Sequence, residues 1–124
     1  GMRIAVQEKS QSDAVLSRIA TRATLVRVPG LAAALEAVKA GKADAIGTTK
    51  PSLFELSSQL PGSRVLDGRF AQEHIAMAIP KGRDAGVPYA RQFVEEAKSR
   101  GLVKAAIEKS GARGAVVAPP QSAL

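Results

Sequence analysis

Short apolar stretches alternate with amphipathic ones along the first half of the chain. Their β-branched and apolar residues predict three strands, at Arg3–Gln7, Thr24–Val28 and Ala43–Gly47. Apolar residues at helical spacing predict helices that begin near Ser10, Leu31 and Thr49. Strands that alternate with helices indicate right-handed crossovers and parallel pairing.

The second half carries weaker strand patterns and a longer helical region. Two further strands are predicted at Arg64–Leu66 and His74–Ile79. Residues from Gly86 to Ser110 have helical spacing, and Gly101 is expected to separate two helices. The predicted fold class is therefore α/β, a three-layer αβα sandwich with a mainly parallel central sheet.

The amino-acid composition argues against several kinds of functional site. The chain of 124 residues has no cysteine, one histidine and few aromatic side chains, which argues against a disulfide framework, a metal cluster and base stacking. It contains no apolar run long enough to span a membrane. The net charge of +7 is spread over both ends, which favours a solvated basic surface over a face for nucleic acid or an anionic membrane.

Small polar residues at two predicted helix starts are the best candidates for a binding site. In an open parallel sheet, ligands bind beyond the carboxyl ends of the strands, where free backbone N–H groups of helices receive anions. The candidate ligand-binding residues there are Ser10, Gln11, Ser12, Thr48 and Thr49. Ordinary helix capping is the competing interpretation of both groups.

Other polar residues carry weaker signals. Asp44 is expected to form an ion pair or cap at a strand end, and His74 is expected on the surface. No nucleophile motif, phosphate-binding glycine loop or paired carboxylates occur, so the protein is not expected to be an enzyme, and neither metal nor cofactor is predicted.

Three segments resemble one known family in their order and spacing. Arg3–Val6 followed by Ser10–Asp13 resembles the opening of the second lobe of type II periplasmic solute-binding proteins, in the family 3 amino-acid-binding branch. The Ala- and Leu-rich stretch Leu31–Ala45 is similar to the helix and the Asp-Ala strand that follow. His74–Gly82 is similar to the strand by which the family's chain returns to its first lobe.

This resemblance implies a domain plan and a function. By this resemblance residues 3–72 would be lobe two, and residues 73–111 the return strand and closing helices. The residues themselves indicate a tag scar and start at 1–2 and a tail rich in Pro and Ala at 112–124. The first part of lobe one would be missing, so the chain would be a truncated domain. The implied function is the solute-binding component of a periplasmic ABC-type importer, which meets a permease and no nucleic acid. Its solute would be small and anionic or amino-acid-like; Thr49 falls where the family often places an aspartate that holds the ligand's ammonium group.

Two alternative functions are compatible with the same fold. A ligand-sensing effector domain of a LysR-type transcriptional regulator is the second interpretation, and an enzyme of similar fold is the third.

The C-terminal region carries apolar patches at Phe93–Val94 and Leu102–Ile107. In the family such patches would pack on a sheet, and the implied truncation removes that sheet. Because large apolar side chains seldom remain exposed, the chain is predicted to form a homodimer.

Overall fold

The computed structural model describes residues 1–121, which divide into two compact units. The N-terminal unit comprises Gly1–Gln72, and the C-terminal unit begins at Glu73. The last three positions of the predicted tail lie outside the described residues. No helix within residues 1–121 has both the length and the apolar character needed to cross a bilayer.

The N-terminal unit alternates strands and helices in the predicted order. Its elements are β1 (Arg3–Gln7), α1 (Gln11–Ile19), β2 (Thr24–Val28), α2 (Leu31–Lys39), β3 (Ala45–Ile46) and α3 (Lys50–Ser58). The strands form a parallel sheet in the order β2-β1-β3, with Ala5 of β1 opposite Val26 of β2 and Ile46 of β3. This arrangement confirms the α/β fold class.

The two faces of β1 contact different helices. Ala5 is fully buried in a cluster with Ala34, Ala37 and Ala43, so α2 lies on its face of the sheet. Val6, the next residue, points the opposite way and lies with Leu16 of α1 around Gly47. The sheet is therefore covered by α1 on one face and by α2 on the other.

An ion pair joins the starts of β1 and β3. Asp44 accepts hydrogen bonds from Arg3 Nη2 at 2.7 Å, from Arg3 Nε at 3.1 Å and from the Arg3 backbone N–H at 2.8 Å. The Arg3 side chain also donates to the carbonyl of Gly41 at 2.8 Å. The strand-end ion pair expected for Asp44 is confirmed, and it lies at the amino edge of the sheet, opposite the edge at which the strands end.

The Arg3–Asp44 pair predicts a defined response to acid. The Arg3 side-chain hydrogen bonds, with its backbone N–H and charge, lower the pKa of Asp44 to about 2. Because that pKa is depressed in the folded state, the stabilisation is complete above about pH 4 and is lost as the pH falls toward 2. We therefore expect Asp44→Asn to remove part of the decline in unfolding free energy between these pH values, measured by urea denaturation.

Glu8→Gln is the matched control for that measurement, since it removes an exposed carboxylate at the other edge of the sheet. This control should keep the wild-type pH profile. An unchanged profile in Asp44→Asn would contradict the role assigned to the pair.

The C-terminal unit consists of two helices and irregular chain. Helix α4 spans Gly86–Ser99 and helix α5 spans Leu102–Ser110. Gly101 between them has a φ of 76°, a left-handed conformation that favours glycine, so the predicted separation of two helices is confirmed. The following chain is attached to α4 because Lys98 Nζ donates to the Pro119 carbonyl at 2.9 Å, while Glu95 pairs with Lys98.

The two predicted strands at Arg64–Leu66 and His74–Ile79 are wrong. Neither forms a strand, and the backbone of residues 64–79 makes no hydrogen bond with any described residue. A strand forms only where another strand satisfies its N–H and C=O groups, and residues 1–121 supply no partner for either segment.

Candidate functional site

The candidate residues lie at one edge of the sheet, which we call the carboxyl edge because β1, β2 and β3 all end there. Backbone hydrogen bonds between neighbouring strands continue to this edge. The Glu8 N–H donates to the Val28 carbonyl and the Gly47 N–H donates to the Ala5 carbonyl, both at 2.9 Å. Since β1 is the central strand, the loops that follow β1 and β3 are neighbours. The structure thus brings Ser10–Ser12 and Thr48–Thr49 to the same edge.

Ser10 caps α1. Its Oγ accepts a hydrogen bond from the Asp13 N–H at 3.1 Å, and its backbone is extended, as expected for an N-cap. Lys9 before it has a φ of 59°, a left-handed conformation that is uncommon for a residue with a side chain. The capping interpretation therefore holds for Ser10, although its hydroxyl proton remains available to donate.

Asp13 occupies the first turn of α1, where its buried side chain is the centre of a partly buried hydrogen-bond network. Its carboxylate accepts from the Lys9 N–H at 3.1 Å, from Ser17 Oγ at 3.2 Å and from Arg27 Nε at 2.9 Å. Burial by itself would raise the pKa of Asp13, but these donors and the Arg27 charge together lower it. The side chain is therefore ionised and paired, so Arg27 offsets the negative charge that it brings to the carboxyl edge.

Ser12 differs from its neighbours in this loop. The residue is only 7% exposed, yet its hydroxyl has no hydrogen-bond partner among the described residues. No buried side-chain oxygen in residues 1–121 lacks a partner, so Ser12 Oγ is the part of the residue that reaches solvent. Gln11 beside it is exposed and also makes no side-chain hydrogen bond within the described chain.

The second loop begins α3 without a side-chain cap. Thr49 occupies the N-cap position, but its Oγ1 donates to Ser52 Oγ at 3.1 Å and does not bind a helix N–H group. The half-buried Thr48 has no side-chain partner among the described residues. Lys50 adds a cation at the first helical position. Thr49 therefore occupies the N-cap position at the predicted start of the helix, but its hydroxyl bonds to another side chain, so the competing interpretation of helix capping does not describe that hydroxyl.

Gly47 sets the close approach of this second loop to α1. A Cβ at this position would lie 2.6 Å from Leu16 Cδ1 and 3.3 Å from Val6 Cγ1, so only glycine allows the contact as it stands. The glycine thereby holds the end of β3 against the helix that carries Ser12. Sequence patterns did not reveal this role or the Asp13–Arg27 pair, since both depend on contacts between distant segments.

A shallow groove separates α2 from α3. Its volume is about 380 Å³, and its walls include Leu31, Leu35, Leu56, Glu36 and Glu55. Lys39 also lines the groove and pairs with Glu36 at 3.2 Å, so Glu55 adds a net negative charge and the groove matches an anion less well than the carboxyl edge does. No group of three or more potential metal ligands occurs among residues 1–121.

No protein-family model, curated protein or solved structure matches this chain.

Proposed function

We propose that the N-terminal unit binds a small anionic or amino-acid-like solute at the carboxyl edge, as the solute-binding component of a periplasmic ABC-type importer. The observation that carries the proposal is the pair of neighbouring loops after β1 and β3. Together they present the unpartnered hydroxyls of Ser12 and Thr48 beside an uncapped helix start. The transport role and the periplasmic location rest on the resemblance of the sequence to type II solute-binding proteins.

The direction of the helices supports an anionic ligand. Helices α1, α2 and α3 each follow a strand of one parallel sheet, so all three N-termini lie at the carboxyl edge. A helix N-terminus carries partial positive charge on its free N–H groups, and neither α2 nor α3 has a side-chain cap to occupy them. Lys50 adds a full positive charge there.

The same residues favour binding over catalysis. Asp13, the buried carboxylate at this edge, is paired with Arg27 and accepts further hydrogen bonds, so it is held as a structural anion. The hydroxyls of Ser12 and Thr48 make no hydrogen bond to a base among the described residues that could activate them. We therefore propose a binding module without catalytic activity.

The proposal predicts weak binding with a defined location. One open sheet edge covers only part of a small solute, so we expect affinities in the millimolar range. Titration of the ¹⁵N-labelled chain with dicarboxylates, 2-oxo acids and amino acids should shift the amide resonances of residues 9–13 and 47–51. The paired variants Ser12→Ala and Thr48→Val should each weaken binding by about tenfold, the value of one hydrogen bond to a charged ligand.

Ser58→Ala supplies the control, because it removes an exposed hydroxyl at the far end of α3. It should bind as the wild type does. Shifts confined to the groove between α2 and α3, or equal weakening by the control, would contradict this location for the site.

A further inference from the structure

The segment Glu73–Lys81 is exposed and largely apolar, and its only backbone hydrogen bond within the described residues is the one that the Pro80 carbonyl accepts from the Arg83 N–H at 3.2 Å. Ile75 is 101% exposed and Met77 is 62% exposed, although the run between the flanking charges is entirely apolar after His74. Only Ile79 is partly covered, with its Cδ1 close to Gly86 at the start of α4. Within residues 73–121, moreover, no residue is buried. This part of the chain therefore has no core of its own.

The sequence of this segment is symmetric about Met77. Ile75-Ala76-Met77-Ala78-Ile79 is the same in either direction, and Glu73 and Lys81 stand at equal distances on the two sides. Two copies paired antiparallel about Met77 would place isoleucine opposite isoleucine and alanine opposite alanine. Each Glu73 would lie opposite Lys81 of the other copy, so the charges at both ends would attract each other.

The proline at position 80 fits the same register. Residues in an antiparallel pair alternate between hydrogen-bonded and non-hydrogen-bonded positions. If Met77 pairs with itself at a hydrogen-bonded position, then the pairs of residues 75 and 79, and of 73 and 81, are hydrogen-bonded too. Pro80 then falls at a non-hydrogen-bonded position, where its missing N–H is not needed.

We infer that residues 73–81 form an antiparallel two-stranded interface with a second copy of this chain, with the two-fold axis at Met77. Such a contact is self-complementary, as the common two-fold dimers of proteins are. It pairs the backbone groups at the hydrogen-bonded positions, residues 73, 75, 77, 79 and 81, and brings Ile75, Met77 and Ile79 of both copies together on one face. This inference does not depend on the solute-binding proposal, because it uses no residue of the carboxyl edge.

Single cysteines test the register directly, since the chain has no cysteine of its own. In the proposed pairing the two Met77 Cα atoms lie about 5.5 Å apart, within the range for a disulfide. Met77→Cys should therefore form a disulfide-linked dimer with oxidised glutathione. Ile75→Cys is the matched control: the two copies of residue 75 would be about 14 Å apart along the strands and should not link.

Charge reversal tests the same pairing without cysteine. Glu73→Lys or Lys81→Glu alone would place like charges together at both ends, so each should raise the dimer dissociation constant by about tenfold. The double variant Glu73→Lys/Lys81→Glu restores opposite charges and should restore the wild-type constant. Light scattering after size exclusion, from micromolar to millimolar chain concentration, measures these constants, and circular dichroism checks that each variant is folded.

Three results would overturn the inference. If the wild-type chain stays monomeric over the whole concentration range, the segment does not pair with a second copy of this chain, and its partner would be a different polypeptide. Ile75→Cys linking as readily as Met77→Cys would show another register or none. If the double variant Glu73→Lys/Lys81→Glu dimerises no better than the single variants, Glu73 and Lys81 of the two copies are not in contact.

Discussion

Leu16→Ala should lower the free energy of unfolding by about 2–5 kcal/mol, because it removes one of the few large buried side chains between α1 and the sheet. Gly47→Ala should cost about 1–3 kcal/mol on its own, since the added methyl group would lie 2.6 Å from Leu16 Cδ1. The double variant should lose less unfolding free energy than the sum of the two single losses, because the new methyl group enters the space that the Leu16 side chain leaves. Urea denaturation followed by far-UV circular dichroism measures all three variants.

A favourable coupling of about 1 kcal/mol in that double-mutant cycle is the expected result. Ile19→Ala is the control, since its side chain lies on the same helix but is 56% exposed. It should show no coupling to Gly47→Ala. Strict additivity of Leu16→Ala and Gly47→Ala would mean that the two residues do not share this space.

Ala34→Leu should destabilise the protein by up to about 3 kcal/mol. Ala34 and Ala5 are both fully buried, so α2 lies against β1 with no room for three more carbon atoms. Ala32→Leu is the matched control, because it makes the same change at an exposed position of the same helix. Its effect should stay within about 0.5 kcal/mol, measured by the same urea titration.

A small effect of Ala34→Leu, equal to that of Ala32→Leu, would contradict the close contact between α2 and the sheet. The unit would then tolerate a wider spacing than its alanine-rich interface implies. A larger effect than predicted would strengthen the interpretation, since a unit of this size has little stability to lose.

The candidate site could be predicted in position but not in chemistry. Parallel pairing follows from the alternation of elements, and it placed Ser12 and Thr48 at the carboxyl edge of the sheet. Apart from the Ser10 cap, the hydrogen bonds of the site could not be foreseen, because each is a choice among nearby partners. Thr49, at the N-cap position of α3, bonds to Ser52 and not to a helix N–H group, and Asp13 of α1 is neutralised by Arg27 of β2.

Local sequence was sufficient where the element carries its own signals. Strands Arg3–Gln7 and Thr24–Val28 have the predicted bounds, and α1 begins directly after its Ser10 cap. Helix α4 ends before Gly101, the residue that the helical pattern predicted to separate the two helices. In these places hydrophobic spacing, capping and glycine act within a few residues, so distant contacts were not needed.

Tertiary structure decided everything that depends on a partner. His74–Ile79 has the composition of a strand but forms none, since nothing in residues 1–121 pairs with it. Gly47 looks like an ordinary loop residue until Leu16 is packed against it. The sequence by itself determined which segments can be helices or strands, because those preferences are local. The fold decided which strands pair, which hydroxyls stay free and which apolar faces are left uncovered, because each of these requires a contact between residues far apart in the chain.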